Sequence, residues 1–160
     1  MTYEDLLTAA EKLGLVIREK DLLAYDGRIK GRRVAIRKTI PTHKKKACVL
    51  AEELGHYFTS SGDILNDSVN SIKQEYRARL WAYNLQIGLS GLIAAHKAGC
   101  KNTYDTAEFL NVPEGFLEDC LKCYREKYGV SAECDEYIVL FDPCIDVLTR
   151  KEAMRLKNDW

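Results

Sequence analysis

The first forty residues change from a helical to an alternating pattern of hydrophobic positions. Apolar side chains recur every three or four residues over residues 3–13, and Gly14 ends this pattern. From Leu22 onward, Asp-Gly and Lys-Gly turn signals separate short runs rich in Val, Ile and Tyr, in which Val34 and Ile36 alternate with less hydrophobic residues. The pattern predicts one helix followed by a small antiparallel sheet.

Helical spacing dominates the remainder of the chain. The predicted elements are helices over residues 43–59, 71–97, 103–110 and 113–128, then a strand over residues 137–143 and a polar tail. Gly88 marks a candidate bend in the second of these helices. The pattern predicts an α+β protein with a core over residues 1–100. Residues 101–160 are predicted to form a small helical extension, with one short strand, that packs on the core.

Composition describes a globular protein with balanced charge. Hydrophobic residues make up 46% and charged residues 30% of the chain, and 24 basic side chains balance 24 acidic ones. Bulk charge therefore gives no support for nucleic-acid binding. The first residues lack the basic start of a signal peptide, and no segment has the ~20 apolar residues of a membrane span. We expect a cytoplasmic protein that contacts neither nucleic acid nor membrane directly.

Two groups of side chains have both a structural and a functional interpretation. Six cysteines are expected to be reduced thiols in this compartment. Cys120 and Cys123 form a CxxC inside a helical pattern, not on the tight knuckle of a zinc ribbon, which favours structural thiols over a second zinc site. A basic run in the predicted sheet favours a solvated strand face over a polyanion site: Arg32, Arg33, Arg37 and Lys38.

The stretch LAEELGHY, residues 50–57, resembles the HExxH helix of zinc peptidases with one substitution. In HExxH, two histidines four residues apart bind the metal, and the glutamate beside the first activates water. Glu52 stands in the place of the first histidine, followed by Glu53 and His56. These three residues share one polar arc of the predicted helix, opposite an apolar face. The arc is either a solvated surface with a Glu52–His56 pair or an altered metal site.

A third metal ligand must come from another element, and Glu75 is the candidate. It lies early in the next predicted helix, 19 residues after His56. Ala78 and Ala82 follow on the same face and would let the two helices approach closely. The alternative is a surface ion pair between Glu75 and Arg79, one turn apart.

Three segments together resemble the ImmA/IrrE family of metallopeptidases, which phages and mobile elements commonly carry. They are LAEELGHYFTSSGDI, KQEYRARLWA and YDTAEFLNVPEGFLEDCL, within a resemblance that extends from about residue 35 to 128. The resemblance implies a zincin-like fold. It also implies that His56 and Glu75 are metal ligands, that Glu53 is the catalytic glutamate, and that Glu52 occupies the position of the missing histidine. Members of the family cleave helix-turn-helix repressors.

The glutamate at position 52 changes the expected chemistry of the site. A carboxylate reaches about as far as an imidazole, so Glu52, His56 and Glu75 could still bind one ion. Two carboxylates cancel the charge of Zn²⁺, make the bound water less acidic, and shift preference toward harder ions such as Mn²⁺. Other candidate donors lie far along their helices or in a loop: Cys48, His43, His96, Asp63 and Asp67.

These observations predict a metal-dependent endopeptidase, with Zn²⁺ as the first choice, that cleaves a helix-turn-helix repressor of a phage or mobile element. Two alternatives remain. A module of the same fold could bind the repressor without cleaving it. The paired helices after residue 102 could bind DNA, although the second carries three acidic residues in its first turns, which would repel phosphate: Glu114, Glu118 and Asp119.

Overall fold

The computed structural model describes residues 1–60, 68–142 and 144–158. It divides into two compact units, Met1–Gln86 and Ile87–Trp160. The division falls at a break between two helices, where Gly88 has a φ of +61°. Positive φ is accessible to glycine without steric cost, so this position can end one helix and start another.

The first unit begins with a capped helix and a three-stranded sheet. Its first elements are α1 (Tyr3–Lys12), β1 (Val16–Lys20), β2 (Gly27–Lys30) and β3 (Arg33–Arg37). Thr2 and Asp5 form a capping box at the start of α1. The strand order is β1-β3-β2. β2 and β3 form the predicted antiparallel hairpin, but β1 pairs parallel to β3, so the sheet is mixed.

Two long helices complete this unit, α2 (His43–Thr59) and α3 (Ser68–Gln86). The bounds of α2 agree with the prediction, and Thr42 caps it by accepting a hydrogen bond from the Lys45 amide. The inner face of the sheet, with Val34 and Ile36, is buried together with Leu50 of α2. This packing fixes the orientation of α2 and turns Glu53 toward the backbone of β2.

The second unit contains more strands than the sequence pattern predicted. Its elements are α4 (Gly88–Lys97), α5 (Thr103–Leu110), α6 (Glu114–Tyr128), β4 (Ser131–Cys134), β5 (Tyr137–Leu140), β6 (Asp146–Thr149) and α7 (Arg150–Asn158). β4, β5 and β6 form an antiparallel sheet in chain order. The prediction of a single short strand in this region was therefore wrong. The two flanking strands, β4 and β6, are four residues long and each has a single buried residue, so they carry little hydrophobic pattern.

Helices and small sheets together confirm the predicted α+β class. Cys120 and Cys123 lie buried in α6, as the helical pattern indicated. Within the described ranges, no helix is long and apolar enough to cross a membrane.

Candidate metal centre

His56 and Glu75 come together because α2 and α3 pack at unusually short range. A Cβ atom on Gly55 would lie only 2.3 Å from the backbone oxygen of Ala78, so only glycine permits this approach. His56 Nε2 lies 3.3 Å from Glu75 Oε2. Arg79 Nε donates to Glu75 Oε1 at 2.8 Å, so Glu75 contacts both the predicted co-ligand and the predicted ion-pair partner.

The separation of these two donors suits a shared divalent ion. Two ligand atoms about 2.0–2.1 Å from a tetrahedral metal lie about 3.3 Å apart. The observed distance between His56 Nε2 and Glu75 Oε2 is the same. An imidazole nitrogen and a carboxylate oxygen are also donors that zinc accepts. The pair therefore fits two positions of a zincin-type site.

Glu52 is close to this pair electrostatically, but it does not complete a cluster. Its charge contributes to raising the pKa of Glu53 and of Arg79. Among the residues that the structure describes, no three His, Cys, Asp or Glu side chains are grouped so that they could hold an ion. The assignment of Glu52 as a ligand stays a prediction.

The other candidate donors are engaged elsewhere or lie outside the described residues. His43 Nδ1 is 2.8 Å from Glu4 Oε1, and His96 belongs to the second unit, where Nδ1 lies 3.8 Å from Asp146 Oδ1. The Cys48 thiol is buried, and burial together with the Glu52 charge raises its pKa to about 12, which disfavours a thiolate ligand. Asp63 and Asp67 lie outside the described residues.

Glu53 lies between α2 and the second strand of the sheet. A Cβ atom on Gly27 would be 2.7 Å from Glu53 Oε1, so the carboxylate rests directly against the β2 backbone. The Glu53 carboxylate also accepts a backbone hydrogen bond from Ile29. Burial, followed by the charges of Glu52 and Glu75, raises the pKa of Glu53 to about 7. This carboxyl group can thus both accept and donate a proton near neutral pH.

Sequence reasoning missed Gly27, although a signal was present. A glycine at the start of a strand often marks a place where another group approaches the backbone closely. The Asp26-Gly27 pair had indicated only a turn.

The strand whose edge lies beside Glu53 is β2. The central strand, β3, pairs on both sides, with β1 and with β2, and so offers no edge to an extended substrate. Among the described residues, β2 pairs only with β3, which leaves its other edge available next to the Glu53 carboxylate.

Comparison with known families identifies the relationship. The family model of the IrrE N-terminal-like domain, a peptidase family designated M78, matches residues 10–122, more than two thirds of the chain. The chain belongs to the IrrE N-terminal-like family. Neither the curated proteins nor the solved structures gave a match.

Membership of the IrrE N-terminal-like family confirms the resemblance found in the sequence. It assigns the chain to a metallopeptidase-type family with a zincin-like fold, which implies a divalent metal and a protein substrate. The matched region includes all of α2 and α3 and ends within α6. The β4-β5-β6 sheet and α7 therefore lie beyond the region that defines the family.

Proposed function

We propose that this IrrE N-terminal-like protein is a metal-dependent endopeptidase. The observation that carries the proposal is the 3.3 Å approach of His56 Nε2 to Glu75 Oε2, beside a carboxyl group, Glu53, whose pKa is raised to about 7. A pair of metal donors next to a group that exchanges protons near neutral pH is the arrangement that metal-assisted peptide hydrolysis requires.

His56 and Glu75 would hold the metal ion, with Glu52 as the third donor. When bound, a divalent ion supplies Lewis-acid chemistry, since it acidifies a water molecule and polarises the peptide carbonyl. Two carboxylates and one imidazole suit Zn²⁺ and also Mn²⁺. Arg79, hydrogen-bonded to Glu75 Oε1, orients this carboxylate so that Oε2 faces His56.

Glu53 would act as the general base and then as the general acid. Its carboxylate takes a proton from the attacking water and delivers it to the leaving amine. A group is most effective in both roles when its pKa lies near the working pH. The fixed position of Glu53 against Gly27 keeps the proton acceptor at a constant distance from the site.

The substrate would pair with the edge of β2 as an added strand. This edge runs past Glu53, since Gly27 and Ile29 both contact that side chain. Two exposed apolar residues precede β2, Leu23 at 98% exposure and Tyr25 at 63%, and would contact side chains of the substrate. The family resemblance suggests a helix-turn-helix repressor of a phage or mobile element as the substrate.

The test combines metal analysis with the Glu53→Gln variant. Purified wild-type protein, loaded with Zn²⁺ or Mn²⁺, is incubated with a co-encoded helix-turn-helix repressor, and cleavage is followed by mass spectrometry. We expect cleavage by the wild type, and a loss of at least about a hundredfold in Glu53→Gln with metal binding retained. A protein that binds metal but cleaves equally well without Glu53 would refute the role of this residue.

A non-catalytic binding module is the second candidate. It is favoured by the fact that the described residues contain no group of three metal donors. Wild-type protein that binds the repressor but holds no metal and cleaves nothing would establish this candidate in place of the peptidase.

A further inference from the structure

The outer face of the first sheet carries a concentration of positive charge. The register places Arg18, Ala35 and Arg28 in one row across the three strands. Arg33 and Lys30 lie two rows along, beside Val16, and Lys20 lies two residues after Arg18 on β1. Successive side chains of a strand alternate between faces, so these cations share the face that carries Ala35. We call this surface the basic face: Arg18, Lys20, Arg28, Lys30 and Arg33.

The basic face is concave, and the described acidic residues do not neutralise it. A shallow cavity of about 480 Å³ lies over it, lined by the five cations with Val16, Val34 and Ala35. All five cationic side chains are exposed. Within the described part of the chain, none of them forms an ion pair, although the neighbouring basic residues Arg37 and Lys38 do pair, with Asp26 and Asp21.

The row at the centre of the basic face places an arginine on each side of a small residue. Ala35 has the smallest side chain in its row, and it separates Arg18 from Arg28. Guanidinium groups bind phosphate oxygens through two parallel hydrogen bonds. A phosphate over Ala35 would therefore have an arginine on each side, with Arg33 and Lys30 two rows away on the same face.

Charge density favours nucleic acid over an acidic peptide. The rows from Val16 to Lys20 span about 13 Å at roughly 3.3 Å per residue. An extended peptide of this length would turn only about two carboxylates toward the sheet, because alternate side chains point away. A duplex carries one phosphate charge per ~1.7 Å, or about eight over the same length. Even if only half of these face the protein, about four phosphates meet the five cations.

We propose that the basic face binds the phosphodiester backbone of nucleic acid without reading its sequence. The zero net charge of the chain had suggested no such contact, but net charge does not reveal how the cations are distributed. The inference goes beyond the proposed peptidase activity and does not depend on it, since no residue of the basic face belongs to the metal centre.

The test measures binding of a short labelled DNA duplex by fluorescence anisotropy between about 50 and 200 mM salt. The variant Arg18→Gln/Arg28→Gln neutralises the central row, and Lys122→Gln/Lys151→Gln, two exposed residues of α6 and α7, is the control with the same change in net charge. We expect the central-row variant to bind at least about tenfold more weakly at low salt. Its plot of log K against log salt should become less steep by about 1.8, because each lost phosphate contact removes about 0.9 from the magnitude of the slope.

Several results would overturn the proposal. One is equal binding by the two double variants, and another is the absence of duplex binding by a folded wild-type protein at low salt. Tighter binding of a polyglutamate peptide or of anionic vesicles than of the duplex would assign the basic face to an acidic protein or a membrane instead. Circular dichroism of each variant confirms that the fold is retained. If the central-row variant does not fold, Lys20→Gln/Lys30→Gln replaces it with the same expected loss.

Discussion

Replacing Gly55 with alanine should destabilise the first unit, because the contact between α2 and α3 has no room for a methyl group. The added Cβ would lie 2.3 Å from the Ala78 backbone oxygen and 2.9 Å from its carbonyl carbon. Favourable contacts of this kind lie at about 3.5 Å, so the helices must separate by roughly 1 Å. Backbone atoms cannot rotate away as a flexible side chain would, so the whole helix contact has to adjust.

The expected loss follows from two opposing contributions. Overpacking of a close contact costs about 1–3 kcal/mol, and alanine gains about 0.5–1 kcal/mol over glycine inside a helix. The net loss in free energy of unfolding is about 1–2 kcal/mol, which corresponds to a fall in Tm of roughly 4–16 °C for a unit of this size. Because Gly55 adjoins His56, the same separation moves His56 away from Glu75 and should weaken metal affinity by about 10- to 100-fold.

Urea unfolding and metal titration measure both effects, with Gly115→Ala as the matched control. Gly115 is exposed near the start of α6, and a Cβ atom added to it would have no other atom within 4 Å. There the substitution should stabilise the protein by up to about 1 kcal/mol and leave metal affinity unchanged. If Gly55→Ala is as stable as Gly115→Ala and binds metal like the wild type, the close helix contact is not what positions His56 and Glu75.

Three further predictions concern single side chains. The pKa of Glu53 is raised from 4.5 to about 7 in the folded protein, so metal-free protein loses stability as pH rises through this window. At about 1.4 kcal/mol per pKa unit, Glu53→Gln should add roughly 2–3 kcal/mol to the free energy of unfolding at pH 8 but less than about 1 kcal/mol at pH 5, measured by urea unfolding. Lys46→Met should lower the free energy of unfolding by about 1–2 kcal/mol at pH 7, which is measured as a lower Tm. The Lys46 ammonium lies 2.7 Å from Glu19 Oε2 and lowers the pKa of this carboxylate. An unchanged Tm would contradict the pairing. Asn102→Ala should lower the free energy of unfolding by about 1 kcal/mol, measured by thermal unfolding, because it removes the capping side chain that accepts a hydrogen bond from the Asp105 amide at 2.8 Å. An unchanged stability would mean that this cap is not needed to start α5.

The helices could be predicted from sequence because their signals are local. Thr42 and Asn102 accept hydrogen bonds from the first turns of α2 and α5, and side chains that cap helices are visible in sequence. Asn111 ends α5 in the left-handed conformation at φ 55°, which asparagine adopts more readily than most residues. Neither the caps nor the apolar faces need information from distant parts of the chain.

The strands were harder to predict because their pairing is not local. β1 has a single half-buried residue, Ile17, and it joins the sheet only by pairing with β3 across the intervening hairpin. Nothing in the stretch VIREK specifies this parallel partner. The position of β3 at the centre of the sheet follows from the same pairing, and therefore the edge beside Glu53 had to be β2.

Only part of the candidate site could be predicted for the same reason. The spacing of Glu53 and His56 within one helix is fixed by helical geometry, and Glu75 was found because its helix carries small residues suited to close packing. The contact of Glu53 with Gly27 and the rise of its pKa depend on how the sheet lies against α2. Burial, the largest cause of that rise, is a property of the tertiary structure.

Electrostatics explains why a glutamate at position 52 is compatible with a cation site. Glu52, Glu53 and Glu75 together carry three negative charges when ionised, and Arg79 supplies one positive charge. The folded protein lowers this repulsion by protonating Glu53, whose pKa rises partly because Glu52 and Glu75 are near. A divalent cation between His56 and Glu75 would reduce the repulsion further and return Glu53 to its ionised form, as a general base requires. In the proposed mechanism, the glutamate that makes the motif unusual would thus strengthen the coupling between metal binding and activation of Glu53.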